Sequence, residues 1–233
     1  MKNQKASVVL CVGLMGLSLA GVVDAALISR AGGHAVYDTD NNLTWVTDAN
    51  LSSSFSFGLT QNTVTDRFTF DGEISWYGGM NWVSAQQWIA GMNTAGYLGV
   101  NGWRMPSANP LSTPGVFGEF SQLFYNELGG TVNHPITDSA SHDLAFFSNL
   151  DPLYSYWNDQ QSSFGLPVLT EFSFNDGVQT SASDFQLNRV WAVHSGDVLA
   201  PVPVPASFWL MISGLSGLLG WTRWISQRIK SKS

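Results

Sequence analysis

The sequence predicts an α+β fold, with two helices in the first half of the domain and an antiparallel sheet in the second. Three observations carry that reading. Trp82, Ala85, Trp88, Ile89 and Met92 fall on one face of a helix. Phe117, Phe120, Leu123, Phe124 and Leu128 repeat the pattern and stop at Gly129-Gly130. From Tyr154 onward, aromatic and polar residues alternate around Asn175-Asp176-Gly177, a turn signal. Helices followed by a run of strands is the α+β order.

The two ends of the 233-residue chain read as processing segments, leaving one domain. Residues 1–25 carry Lys2 and Lys5, an apolar run, and small residues before a cut between Ala25 and Ala26. That is a secretory signal rather than an anchor. The only cysteine, Cys11, lies inside it, so the mature chain has neither disulfide nor thiol nucleophile. Residues 26–200 form the domain. Residues 201–233 contain Val202-Pro203-Val204-Pro205-Ala206, an apolar run, and the basic cluster Arg223, Arg228, Lys230 and Lys232. A run of about 16 residues makes a helix of about 24 Å, a short transmembrane helix with its basic end on the cytoplasmic side.

Charge divides the same way. From Ala26 to Ala206 there are four arginines, no lysine and sixteen acidic residues, a formal charge of −12 against −7 for the whole chain. Such a surface repels nucleic acid and anionic glycans and favours cations.

Within the domain, Ala35-Val36-Tyr37 and Leu43-Thr44-Trp45-Val46 read as strands joined by the turn residues Asp40-Asn41-Asn42. Asp38, Asp40 and Asn42 stand at alternate positions, as calcium ligands do. The later glycine and glutamate of an EF-hand loop are missing, so a plain turn leads and calcium is the alternative. Residues 49–79 read as a long surface loop, with an extra strand at Arg67-Phe68-Thr69-Phe70. Phe55, Phe57, Trp76 and Tyr77 in it serve either packing or sugar stacking.

The first helix has Asn81 or Ser84 as its cap and Gly96 as its stop. The second starts at Thr113-Pro114. Residues 131–165 are irregular. His134, His142 and Asp143 there match no metal spacing. Tyr154 to Trp157, Thr170 to Phe174, Val178 to Thr180 and Val190 to Val193 are the late strands. Arg104, set between Trp103 and Met105, requires a carboxylate or carbonyl partner if it is buried, and Glu119 and Glu127 are the carboxylate candidates. Trp82, Trp88, Trp103 and Trp191 read as core.

Two resemblances are specific. The tail at residues 202–232 resembles PEP-CTERM sorting signals of the Val-Pro-Leu-Pro-Ala type, with Val204 in place of the leucine. It implies processing by an exosortase-type membrane protease and delivery to the surface or matrix of a Gram-negative cell. Residues 35–197 resemble the Lcl C-terminal domain family. The matching pieces are Met80-Asn81-Trp82 with Ala85 and Trp88, Gly96-Tyr97, Trp103-Arg104-Met105-Pro106-Ser107, Leu123 to Gly129, Tyr156-Trp157, Phe172 to Gly177, and Trp191-Ala192-Val193. Asn158 stands where the family has Ser, and His194 where it has Arg.

The resemblance implies a C-type-lectin-like fold in which Trp82, Trp88, Trp103, Arg104, Pro106, Trp157 and Trp191 are structural. It also implies a surface protein. The sulfated glycans bound by its best-known members fit poorly with a lysine-free domain of charge −12. The function expected is a carbohydrate-binding or biofilm-associated surface protein, with no cofactor and no catalysis. A structural envelope protein without a small ligand and a cryptic hydrolase are the alternatives. Ligand contact is expected in the loops at 49–79 and 131–165.

Overall fold

The computed structural model describes residues 27–62, 70–108, 118–159 and 169–200. The cut at Ala25 and Ala26, the motif Val202 to Ala206, the transmembrane helix, Arg67 to Thr69 and the helix start at Thr113-Pro114 lie outside them. The described architecture is mixed α+β, with few helices and three small sheets. No helix among the described residues is long and apolar enough to cross a membrane.

The first sheet has the order β1-β2-β3-β9 and is antiparallel throughout, with β1 at Leu27–Arg30, β2 at Ala35–Asp38, β3 at Leu43–Val46 and β9 at Val193–Ser195. It joins the two ends of the domain. Arg30 reinforces the closure with two hydrogen bonds to the Asp197 carboxylate, at 2.9 and 2.7 Å. Strand β1 has no counterpart in the sequence reading, because four residues are too few for a periodic signal.

The last strand lies further along the chain than Val190 to Val193. Val190, Trp191 and Ala192 are fully buried and run between sheets. Their neighbours change residue by residue: Trp157 N–H donates to Arg189 O at 3.0 Å, and Val46 N–H to Ala192 O at 3.1 Å. A run of apolar residues signals burial, and here burial comes without a regular ladder.

Helix α1 spans Trp82–Thr94. Of the two caps on offer, Asn81 serves, its side chain accepting from Ser84 N at 2.8 Å. Gly96, at φ 59°, takes the left-handed conformation just past the helix end. Ala85, Trp88, Ile89 and Met92 are buried, and Trp82 is partly buried against them. Helix α2 is only Gly118–Gln122 and widens into a π turn at Leu123–Glu127, where Leu128 N–H reaches back to Leu123 O at 2.8 Å. The extra residue keeps Phe120, Leu123, Phe124 and Leu128 all buried.

The described residues of 49–79 do not form a free loop, contrary to the sequence reading. Strands β4 (Thr60–Asn62) and β5 (Glu73–Ser75) pair in parallel. Leu51, Ser52, Ile74 and Ser75 are buried. Ser52 Oγ donates to Gly78 O at 2.8 Å, Ser75 Oγ to Gly79 O at 2.7 Å, and the Trp88 indole to Phe55 O at 2.7 Å. Polar side chains, which read as solvent-facing, here satisfy buried carbonyls instead.

The third sheet is β6 (Ser155–Trp157), β7 (Leu169–Ser173) and β8 (Val178–Ala182), antiparallel, with the Asn175-Asp176-Gly177 turn between the last two. An aromatic core of Trp45, Phe120, Phe172, Phe174 and Trp191 joins this sheet to the first, with neighbouring ring centroids 5.1–6.0 Å apart.

Candidate functional site

The family-type residues gather in the core and do not form a site. Trp88, Trp103, Trp157 and Trp191 are 0–2 % exposed. Pro106 is buried, its carbonyl accepting from Asp159 N–H at 2.9 Å. Arg104 makes a two-pronged pair with Glu119, both bonds 2.7 Å, and Glu119 also accepts from Ser107 N–H at 2.8 Å. The pair ties the Trp103–Pro106 corner to helix α2. It also raises the Arg104 pKa, chiefly through the Glu119 hydrogen bond.

Glu127, the other candidate partner, lies elsewhere. It is 6 % exposed. Burial and the neighbouring Asp38, Asp40 and Asp143 push its carboxyl up to about 7.

Asp38, Asp40 and Asn42 build the β2–β3 turn. Asp38 is fully buried and accepts from Asp40 N, Asn41 N and Asn41 Nδ2 at 2.8–3.1 Å. Asn42, at φ 52°, accepts from the Tyr37 hydroxyl at 3.0 Å. Among the described residues, no three His, Cys, Asp or Glu side chains are placed to share a metal ion. His134 faces Asp138 at 3.6 Å on an exposed turn, and Asp143 N–H is capped by Ser141 Oγ at 3.2 Å.

A cleft of about 400 Å³ opens on the other side of β3, lined by His34, Thr47, Asp48, Leu51, Phe55, Tyr97, Leu98 and Ser148. Four separate segments meet there: backbone bonds join three of them, and ring contacts bring in Tyr97–Leu98. Thr47 N–H donates to His34 O at 3.1 Å, Ser148 N–H to Thr47 O at 3.0 Å, and Ala49 N–H to Ser148 O at 2.9 Å. Asp48 Oδ1 accepts from Asn50 N and Asn149 Nδ2, each at 2.9 Å, which leaves Oδ2 without a protein donor among the described residues. Thr47 Oγ1 is buried and lacks a partner among the described residues.

One wall of the cleft is aromatic. Phe55, 49 % exposed, stacks on Phe57 at 5.9 Å and meets Tyr97 edge-on at 6.2 Å. Phe57 in turn rests on the buried Trp88 at 5.1 Å, so the rings are fixed from beneath. Burial and then the Asp48 charge raise the Tyr97 phenol. Ala31, Phe57, Leu98 and Asn149 have positive φ (45–57°) and lie in or within two residues of the cleft lining. Backbone strain of this kind gathers where a surface is held in a set shape.

The cleft takes Leu51 and Phe55 from the loop at 49–79 and Ser148 from the one at 131–165. His34, Thr47, Asp48 and Leu98 carry no motif, and only their convergence in space marks them. A second cleft of about 250 Å³, near His134, Asp138 and Ser139, has no aromatic wall.

No match was found among curated proteins or among solved structures. The family model of the Lcl C-terminal domain matches residues 34–194, which include β2 to β8, the cleft and the whole aromatic core. Membership of this family points to an extracellular or surface-associated protein. With more than half of its length matched, the chain belongs to the Lcl C-terminal domain family.

Proposed function

We propose that this is an exported carbohydrate-binding protein of the cell surface or matrix, and that the glycan docks in the His34–Asp48–Phe55–Tyr97 cleft. The cleft is the observation that carries the reading. It combines fixed rings with a carboxylate oxygen that has no protein donor among the described residues. Sugars present the same pair of features, apolar faces and hydroxyl donors, so rings and carboxylates suit them. Closure of the chain through β1 and β9 supports a C-type-lectin-like reading of the fold. The role is binding rather than catalysis.

Charge favours neutral or amino sugars. The described domain has no lysine, and Arg30, Arg104 and Arg189 are each engaged by an aspartate or glutamate. A sulfated chain would meet Asp48 with no free arginine beside it among the described residues. The Val202 to Ala206 motif supports sorting by an exosortase-type protease, with a membrane-held intermediate before release.

A glycan array probed with the purified protein, with and without calcium, tests the reading. Binding to neutral glycans that Phe55→Ala and Tyr97→Ala each weaken about tenfold is the expected result. An array flat for neutral, amino and uronic glycans rejects it and favours a structural envelope role. Replacing Pro203 and Pro205 together by Ala should hold the chain in the membrane fraction, and unchanged release argues against exosortase sorting.

A further inference from the structure

We infer that the turn bearing Trp76 is a second subsite on the same track, so that the domain binds a polymer and not an isolated sugar. This deepens the cleft reading and rests on it. Trp45, Trp88, Trp103, Trp157 and Trp191 are 0–2 % exposed, whereas Trp76 is 57 % exposed. Leaving an indole in water forfeits the burial that the other five obtain.

Trp76 is nevertheless held in place. Its ring meets Tyr77 edge-on at 5.5 Å, Tyr77 stacks on Tyr154 at 5.0 Å, and the Arg189 guanidinium lies 4.1 Å from the Tyr154 ring centre. The turn closes through Gly78 N–H to Ser75 O at 2.9 Å. Gly78, at φ 88°, lies against the Asn50 side chain, and Gly79 lies beneath the Tyr77 ring. A Cβ at either would collide with these groups. The glycines thus let Tyr77 fold back and leave Trp76 projecting.

The ladder is continuous with the cleft. Asn149 donates to the cleft's Asp48 at 2.9 Å, and its carbonyl accepts from Arg189 at 3.4 Å. Asn50, which donates to Asp48 through its backbone, also donates through its side chain to Tyr77 O at 3.2 Å. One wall therefore supports both aromatic groups. Arg189, the one cation on it among the described residues, is 6 % exposed and has Asp151 at 3.7 Å, so no free positive charge faces the second subsite there. The ligand class is a neutral or amino-sugar polymer whose consecutive rings lie on Phe55 and Trp76.

Titration of the full chain with β-1,4-linked glucose and N-acetylglucosamine oligomers, from dimer to hexamer, tests this. Affinity should rise with length. Trp76→Ala should remove about tenfold of the hexamer affinity and leave the dimer unchanged, while Phe55→Ala lowers both. Unfolding temperature, unchanged in Trp76→Ala, shows that the fold is intact. Hexamer affinity unaffected by Trp76→Ala, or affinity independent of length, overturns the second subsite and leaves the cleft standing. Absence of binding by every oligomer removes the cleft reading and this inference together.

Discussion

The Trp103–Pro106 corner and the Phe55–Trp76 face use the same residue types to opposite ends. In the corner, the indole is 2 % exposed and the arginine is matched by a carboxylate at 2.7 Å. On the face, Phe55 and Trp76 are about half exposed, and Asp48 keeps one oxygen free of protein donors among the described residues. A region whose polar groups are all satisfied internally has nothing to offer a ligand. The residues that mark the family therefore hold the fold, and the less distinctive ones face outward.

Substitutions should separate the two regions. Trp191→Ala in the core, where the ring touches Trp45, Phe147 and Phe174, should cost about 4 kcal/mol, seen as a midpoint about 8–16 °C lower on thermal unfolding. A loss under 1 kcal/mol would break the contrast, since the ring would then not be core. Glu119→Ala strands Arg104 and the Ser107 N–H. It should cost about 2–3 kcal/mol by chemical denaturation while leaving glycan affinity unchanged in the folded fraction.

Glu127 sharpens the corner from the other side, being a buried acid without a cation partner among the described residues. Its carboxyl titrates at about 7 in the folded protein, against an ordinary value of 4.5. The folded state binds more protons in that window, so its contribution to stability falls as pH rises from about 4.5 through about 7. Glu127→Gln should accordingly stabilise the protein above pH 7 by about 1–2 kcal/mol and make no difference near pH 4. Denaturation midpoints at pH 4, 6 and 8 measure it, and a benefit independent of pH would refute the linkage. The smallest effect on stability belongs to the face: Phe55→Ala should change it by less than about 1 kcal/mol while weakening glycan binding about tenfold.

Asn158 fits neither region. It is fully buried, and both its side-chain oxygen and nitrogen lack partners among the described residues, at a position where the family resemblance expects Ser. Nothing in the described structure explains the larger amide there.

Several elements were legible in the residues because their physics is local. Helix α1 follows from apolar spacing, with Asn81 before it and Gly96 after it, and each of these acts within one turn. The two hairpins follow from Asp40-Asn41-Asn42 and Asn175-Asp176-Gly177, whose side chains shape their own backbone. The requirement that Arg104 find a carboxylate or carbonyl partner was also readable, since a buried charge demands a partner whatever the fold.

Which carboxylate it finds was not readable, because both lie on the second helix and only its packing against the corner brings Glu119, in α2, to Arg104 rather than Glu127, in the π turn. The same holds for β1, for the displaced β9, and for the ordering of residues 49–79 by Ser52, Ser75 and Trp88. Each depends on bonds between residues far apart in the chain. The cleft is the extreme case. His34, Asp48, Phe55 and Ser148 share no spacing or motif, Tyr97 belongs to a family-type piece, and they meet only through backbone pairing and ring contacts between separate segments. Sequence periodicity records how each segment turns its own side chains. Only tertiary pairing decides which segments then face one another across a surface.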